Sequence, residues 1–323
     1  MAAYFITGGL GFMGQYIVRA VHEHDPRGRL RVLVRTRRPT FLRVESLDRL
    51  AWLEGDLLRP EAWEAGLEGV DTVIHNAAMV SFRRSEEDLI YRTNVVGTRN
   101  LVEAALRAGC RNFIFISSIA AVGVERGKVS DESMSPEPEA LHQDSMYGHT
   151  KLLCEQHLMS VANRIRVIIL NPSLVLGPGS DRIAMLTKAI RFLPVLPMPR
   201  FLHSFVDVRD FAQALVLSLT RGRSGERYIV TAHHADLLTV VRVALDVLGR
   251  RAWLVPVSGR GIAALEAVLW FIDVLGLNPG VRDVSRTNID HEFSSDKIRE
   301  EMGWVPQYSL EESIRASLVP APD

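Results

Sequence analysis

A chain of 323 residues with 47% hydrophobic content can bury a large core, as one big domain or two fused ones, and excludes a disordered polymer. Its 38 basic and 38 acidic side chains cancel, which excludes the long-range field that gathers nucleic acid or an anionic membrane and leaves any basic patch to act locally. Cys110 and Cys154 are the only cysteines, too few for a disulfide framework. No signal-peptide pattern precedes the first strand-like run, so a reducing cytoplasm is the expected location.

The first predicted strand is "AYFIT", Ala3 to Thr7, and the helix containing "GQYIVRAVHEH" follows it. Between them Gly9, Gly11 and Gly14 fit G-x-G-x-x-G, and Gly8, Gly11 and Gly14 fit G-x-x-G-x-x-G. Glycines there permit a sharp strand-to-helix turn and let the backbone approach a pyrophosphate. They also allow close helix-on-strand packing, while the helix N-terminus supplies N–H groups and partial positive charge. In this context the loop predicts nucleotide binding through Gly8, Gly11, Phe12, Met13 and Gly14, against the plainer alternative of a tight turn alone.

A second strand, "RVLV" from Arg31 to Val34, ends at Arg35. In the dinucleotide-binding plan an acid roughly 20 residues beyond the glycines takes the ribose hydroxyls of NAD. A guanidinium there bonds a 2′-phosphate bidentately instead. Arg35, with Arg38 as its helper, therefore predicts a preference for NADP (NADPH), with NAD still possible. The alternative is a solvated basic turn. After a third strand comes Asp56, in "LEGDLLRP". Its carboxylate can accept from the adenine amino group while Leu57 packs on the ring, or it can cap the next helix.

The runs "DTVIHNAA" (71–78), "RNFIFISS" (111–118) and "RVIILNPS" (166–173) are apolar almost without alternation, as strands buried on both faces are. They alternate with the helical patterns "NVVGTRNLVEAALRAG" and "YGHTKLLCEQHLMSVAN". That order predicts an α/β fold, a Rossmann-type doubly wound parallel sheet. The strand ending in Ser117-Ser118 reaches the carboxyl edge where ligands of such sheets bind. One of those hydroxyls can hold a reacting oxygen, or serve only a turn.

Tyr147 and Lys151, four apart, share one helix face. With six tyrosines and lysines only at 128, 151, 188 and 297, random placement gives roughly 0.07 such pairs. An ammonium ~5 Å from the phenol supplies about 3 kcal/mol at an effective dielectric near 20, or ~2 pKa units toward phenolate. With an oxidised nicotinamide adding positive charge, Tyr147 becomes a working acid or base for a carbonyl–alcohol pair.

Beyond Pro172, "LPVLPMPRFL" (193–202) packs three prolines into six residues and reads as a crossover loop. "RYIVT" (227–231) is expected to rejoin the sheet, and the remainder to be mainly helical with one strand near "WLVPV". The expected organisation is an NADP-binding domain over 1–175 joined by 205–232, and a smaller, mostly helical substrate cap over 176–204 and 233–323. The apolar run 261–277 is shorter than the ~20 residues of a bilayer span and carries Glu266 and Asp273. It reads as a core helix, with a lid over an apolar ligand or a membrane-surface contact as alternatives. No metal site is expected: the ten histidines are scattered and His233-His234 lacks partners at ligand spacing.

Together, TGGLGFMG at 7–14, HNAA at 75–78, NVVGT at 94–98, FISSIAAVG at 115–123, YGHTK at 147–151, NPSLVLGPG at 171–179 and GWVPQYSLEESI at 303–314 resemble the extended short-chain dehydrogenase/reductase superfamily of NAD-dependent epimerase/dehydratase type. The resemblance spans nearly the whole chain. It implies a triad of Ser118, Tyr147 and Lys151, with Lys151 on the nicotinamide ribose. It also implies that Asp56 and Leu57 contact adenine, that Ala77 and Ala78 line the cofactor cleft, that Pro172 flanks the nicotinamide, and that the protein is a homodimer through helices near 88–108 and 146–161.

Arg35 and Asn171-Pro172 depart from the acid and the Arg-Pro common in nucleotide-sugar enzymes of that family. They bring the chain closer to the dihydroflavonol reductase, cinnamoyl-CoA reductase and 3β-hydroxysteroid dehydrogenase branch. The expected function is an NAD(P)-dependent oxidoreductase acting on a mostly apolar small-molecule ketone, aldehyde or alcohol. A nucleotide-sugar epimerase or dehydratase with recycled NAD is one alternative, and a non-catalytic NADP-binding regulator is another. No nucleic-acid partner is expected.

Overall fold

Strands whose two faces are both apolar are stable only when covered on both sides, and this determines how the chain is layered. The computed structural model describes residues 1–36, 42–81, 84–125, 127–134, 146–180, 195–199, 201–257, 261 and 291–318. The chain begins β1 (Ala3–Thr7), α1 (Phe12–His24), β2 (Arg29–Val34), β3 (Leu50–Glu54) and β4 (Thr72–His75). A helix then runs from α2 (Glu87–Tyr91), through a wider π-type turn at Arg92–Val96, into α3 (Gly97–Arg107). Next come β5 (Asn112–Ile116), β6 (Val129–Ser130), α4 (Met146–Ser160), β7 (Arg166–Pro172), β8 (Leu174–Leu176), β9 (Val195–Pro199) and β10 (Leu202–Asp207). The described chain closes with α5 (Val208–Arg221), β11 (Glu226–Val230), β12 (His233–Asp236), α6 (Leu237–Val247), β13 (Trp253–Val257), β14 (Glu292–Phe293), α7 (Asp296–Met302) and α8 (Leu310–Leu318).

Seven strands form one parallel sheet in the order β11-β7-β5-β4-β1-β2-β3. Neighbouring residues of a strand face opposite sides, and here each side has its own core. Tyr4, Ile6, Ile114, Ile116, Ile168 and Leu170 pack with α1, α5 and α7, whereas Phe5, Phe113, Phe115, Val167 and Ile169 pack with α3, α4 and Trp63. The order reverses between β1 and β4, and at such a switch point the carboxyl ends of adjacent strands part and leave a crevice.

Outside that sheet β8, β10 and β12 form a three-stranded sheet, with β10 parallel to β8 and antiparallel to β12. β6 pairs with β14, and β9 with β13. The last pairing corrects the reading of 193–202 as a crossover loop: Val195–Pro199 is a strand, in parallel register with Trp253–Val257. A two-stranded sheet is all edge, so Pro197 and Pro199 lose no ladder bond that a central strand would need. β12 and β14 likewise add strands to a stretch expected to hold one. The apolar run 261–277 lies, apart from Gly261, outside the described residues.

The "GWVPQYSLEESI" stretch ties the C-terminal helices to α5. Gly303 ends α7 at φ +68°, where glycine is favoured. The Trp304 indole N–H donates to Asp210 O at 3.0 Å, and the Asp210 carboxylate accepts from Gln307 N and Tyr308 N. Ser309 and Glu312 then form a reciprocal capping box that starts α8.

Candidate functional site at the carboxyl edge of the sheet

The turn from β1 to α1 is built by close backbone approach. Gly8 sits at φ +72°, and a Cβ on it would lie 2.8 Å from Ala77 N. A Cβ on Gly14 would stand 2.0 Å from Gly8 O, so no other residue fits without moving the turn. Gly11 caps α1 with no side chain bonded to the first turn, and a Cβ there would meet only Gly8 O, at 3.3 Å. Among the described residues no side chain caps that helix end, which fits a pyrophosphate held by backbone N–H groups and the helix dipole. The partly buried side chains of Phe12 and Met13 pack toward Tyr16, Val208 and Ala212.

Arg35 is exposed just past β2; Arg37 and Arg38 lie outside the described residues. On the neighbouring strand, Gly55 N donates to Val34 O, which sets Asp56 beside the same tip. Asp56 makes an Asx turn, accepting from Leu58 N at 2.9 Å, and it does not cap the following helical turn, whose N-cap is Arg59. Leu57 is buried against Gly97, and its carbonyl accepts from Asn100.

At the end of β4, His75 is held between two hydroxyls, with Thr7 Oγ1 at 2.7 Å from Nδ1 and Thr98 Oγ1 at 2.9 Å from Nε2. Burial, with the nearby Lys151 charge adding, pushes the imidazole down to about 3, so it is neutral and structural. The loop that follows is pinned to the glycine turn, since Asn76 donates to Gly8 O and Ala77 N donates to Thr7 Oγ1. This leaves Ala77 partly buried and Ala78 exposed along the crevice. Asn94, in the π-type turn, clasps the same loop: it accepts from Met79 N at 2.7 Å and donates to Met79 O and to Thr150 on α4.

β5 and α4 carry the chemistry-bearing residues. Lys151 is buried, with Nζ donating to Ile116 O at 2.6 Å, and lies 4.6 Å from the Phe115 ring centre and 5.9 Å from that of Tyr147. Burial pushes its ammonium down to about 8, against the opposing pull of Cys154 and Glu155. The two serines diverge. Ser117 is buried and its hydroxyl donates to Glu155, whereas Ser118 is half-buried, with Oγ accepting from Ala120 N at 3.1 Å. An accepting hydroxyl keeps its own proton to donate. Pro172 is the buried last residue of β7.

All the expected site residues that are described lie at or beyond the carboxyl ends of β1 to β5 and β7 or on helices that start there. The sequence reading missed Asn94, Glu155 and Arg227 as organising groups. Their only signal was position: Asn94 opens NVVGT, and Glu155 lies one helical turn beyond Lys151. Among the described residues no cluster of histidine, cysteine or carboxylate side chains is placed to hold a metal ion, and no helix is long and apolar enough to cross a membrane.

One family profile matches residues 4–231, a span that holds the glycine turn, the switch point and the helix-borne tyrosine and lysine. The chain belongs to the NAD dependent epimerase/dehydratase family. Within this family, part of the extended short-chain dehydrogenase/reductase superfamily, it is 30% identical over 312 residues to sterol demethylase protein B of Methylococcus capsulatus, covering 93% of both proteins. It is also 30% identical over 331 residues to a putative dihydroflavonol 4-reductase of Synechocystis, covering 96% of this chain and 92% of that one. The crystal structure of gox2253 superposes with a TM-score of 0.82 at 26% identity, covering 98% of this chain and 97% of that one.

Proposed function

We propose that this epimerase/dehydratase-family protein is an NADP-dependent oxidoreductase that interconverts a ketone or aldehyde with an alcohol on a mostly apolar substrate. The observation that carries the reading is the pairing of Tyr147 and Lys151 on one face of α4, with Lys151 Nζ bonded to Ile116 O immediately before the serines. Arg35 at the tip of β2 supports NADP over NAD, because a guanidinium attracts the 2′-phosphate that an acid would repel. The relatives named for sterol and dihydroflavonol chemistry support an apolar substrate.

Gly8, Gly11, Phe12, Met13 and Gly14 would hold the pyrophosphate, with Asp56 and Leu57 at the adenine, Arg35 at the ribose phosphate, and Ala77, Ala78 and Pro172 along the nicotinamide side. The nicotinamide cofactor, when bound, supplies or accepts the hydride. Ser118 donates a hydrogen bond to the substrate oxygen, keeping its proton, and orients that oxygen. Tyr147 gives that oxygen a proton during reduction and removes it during oxidation. Lys151 places a positive charge beside the phenol, which favours phenolate and lowers the cost of each proton transfer. On this reading the cofactor domain spans 1–175 with 205–232, the cap takes the remainder, and the homodimer forms through helices near 88–108 and 146–161.

A second reading rests on the family itself, which takes its description from epimerases and dehydratases: a nucleotide-sugar enzyme that recycles bound NAD. Cofactor consumption against a panel of apolar ketones and aldehydes, run beside nucleotide sugars, separates the two. The expected result is net NADPH oxidation with a carbonyl substrate, abolished in Tyr147→Phe. Isomerisation or dehydration of a nucleotide sugar without net cofactor consumption overturns the oxidoreductase reading.

A further inference from the structure

Three ionisable side chains lie in or beside the core behind the proposed triad: Lys151 at 3% exposure, Glu155 at 2% and the Arg227 side chain at 13%. Glu155 gathers three donors: the Ser117 hydroxyl just past β5, Asn171 Nδ2 of β7 at 2.6 Å and Arg227 Nη1 of β11 at 3.3 Å. Asn171 Nδ2 also donates to Ser118 O at 2.9 Å, so the same carboxylate anchors the peptide that carries Ser118.

We propose that Glu155 is a positioning residue that keeps Lys151 an ammonium in the site and locks the Ser118 peptide against α4. The proposal rests on the role given to Lys151 above. Facing Lys151 are Tyr147, Cys154 and Glu155 from α4, the Phe115 ring and Ile116 O from β5, and His75 from β4. Facing Glu155 are Ser117, Asn171 and Arg227. His75 is neutral, and burial pushes the Cys154 thiol up, so neither carries charge near neutrality. Burial also pushes the Glu155 carboxyl up, while Arg227, Ser117 and Asn171 act against that rise. The ion pair with Arg227 and the donors Ser117 and Asn171 favour the carboxylate form, so the buried row reads cation, anion and cation. Without the anion two cations share a poorly solvated space, and the one that yields its proton is lysine, because arginine cannot.

The chain has four lysines, so full-length protein labelled with 13C-lysine gives few resonances, and Lys151→Arg identifies the one that matters. The experiment is to titrate it in the parent and in Glu155→Gln. Two like charges left uncompensated in a low-dielectric interior lower the Lys151 midpoint by at least about half a pH unit. The basic limb of kcat/KM moves down with it. A merely structural loss exposes Lys151 and moves its midpoint up toward the ordinary lysine value, the opposite sign. Glu155→Gln/Arg227→Met leaves no unpaired arginine and serves if Glu155→Gln does not fold; Lys151 still loses the anion that acts on it, so the expected shift is in the same direction and smaller. An unchanged or raised Lys151 midpoint in whichever of these variants folds overturns the proposal. The resonance needs no turnover, so a Tyr147→Phe enzyme that stays active defeats the acid–base reading separately.

Discussion

The two halves of the sheet's carboxyl edge are made differently. The β1–β3 half is shaped by absent side chains: Gly8 and Gly14 bring backbone against backbone, and the charge it offers, Arg35, stands in solvent. The β5–β11 half is shaped by buried polar side chains that bond across α4, the end of β5, β7 and β11. The first half suits a polyanion because its donors are backbone N–H groups at a helix end that no described side chain caps. The second can hold a proton-transfer group because its charges are few, buried and fixed. The comparison teaches that, on the proposed function, binding and chemistry fall to different halves of the edge, and each should break alone.

The largest effect is expected at the glycine turn. Gly14→Ala places a methyl 2.0 Å from Gly8 O, so the turn must open and NADP affinity should fall about 100-fold or more, or ~2.7 kcal/mol. Calorimetric titration, with circular dichroism to check folding, reads this; unchanged affinity would remove the turn from the cofactor site. Arg35→Ala should come next. Charge-assisted hydrogen bonds are worth about 1.5–3 kcal/mol, so NADPH binding should weaken roughly 10- to 100-fold while NADH changes little. An equal loss for both cofactors would return Arg35 to the solvated surface.

The smallest effect sharpens the comparison from its middle, at β4. His75 is held at about 3 when folded and near its ordinary 6.5 when unfolded. Between those values the unfolded chain binds the extra proton. The contribution is whole above pH 6.5 and is lost as pH falls, by up to about 1.4 kcal/mol per pH unit. Urea melts at pH 7.5 and 5.5 should show the drop, and His75→Gln should flatten it; a drop of equal size in both proteins would assign it elsewhere.

Much of this was legible before any coordinates. The order and type of the early elements follow from continuous β-branched runs alternating with 3.6-residue periodicity, because only a doubly covered parallel sheet accommodates both. Tyr147 and Lys151 were legible because helical spacing turns four residues of sequence into a shared face. The proline-rich strand was misjudged because a proline count does not say whether a strand has a neighbour on its amide side; β13, more than fifty residues on, supplies one on a sheet that is all edge.

By itself, then, the amino-acid sequence determined the glycine turn, the parallel sheet, the family and the paired tyrosine and lysine, since each is written in local spacing. Tertiary structure alone decided that Ser117 faces inward to Glu155 while Ser118 keeps a proton to donate, that His75 is neutral between two threonines, and that Arg227 meets Glu155 from 72 residues away. Those assignments depend on burial and on which strands become neighbours, and neither has a period along the chain.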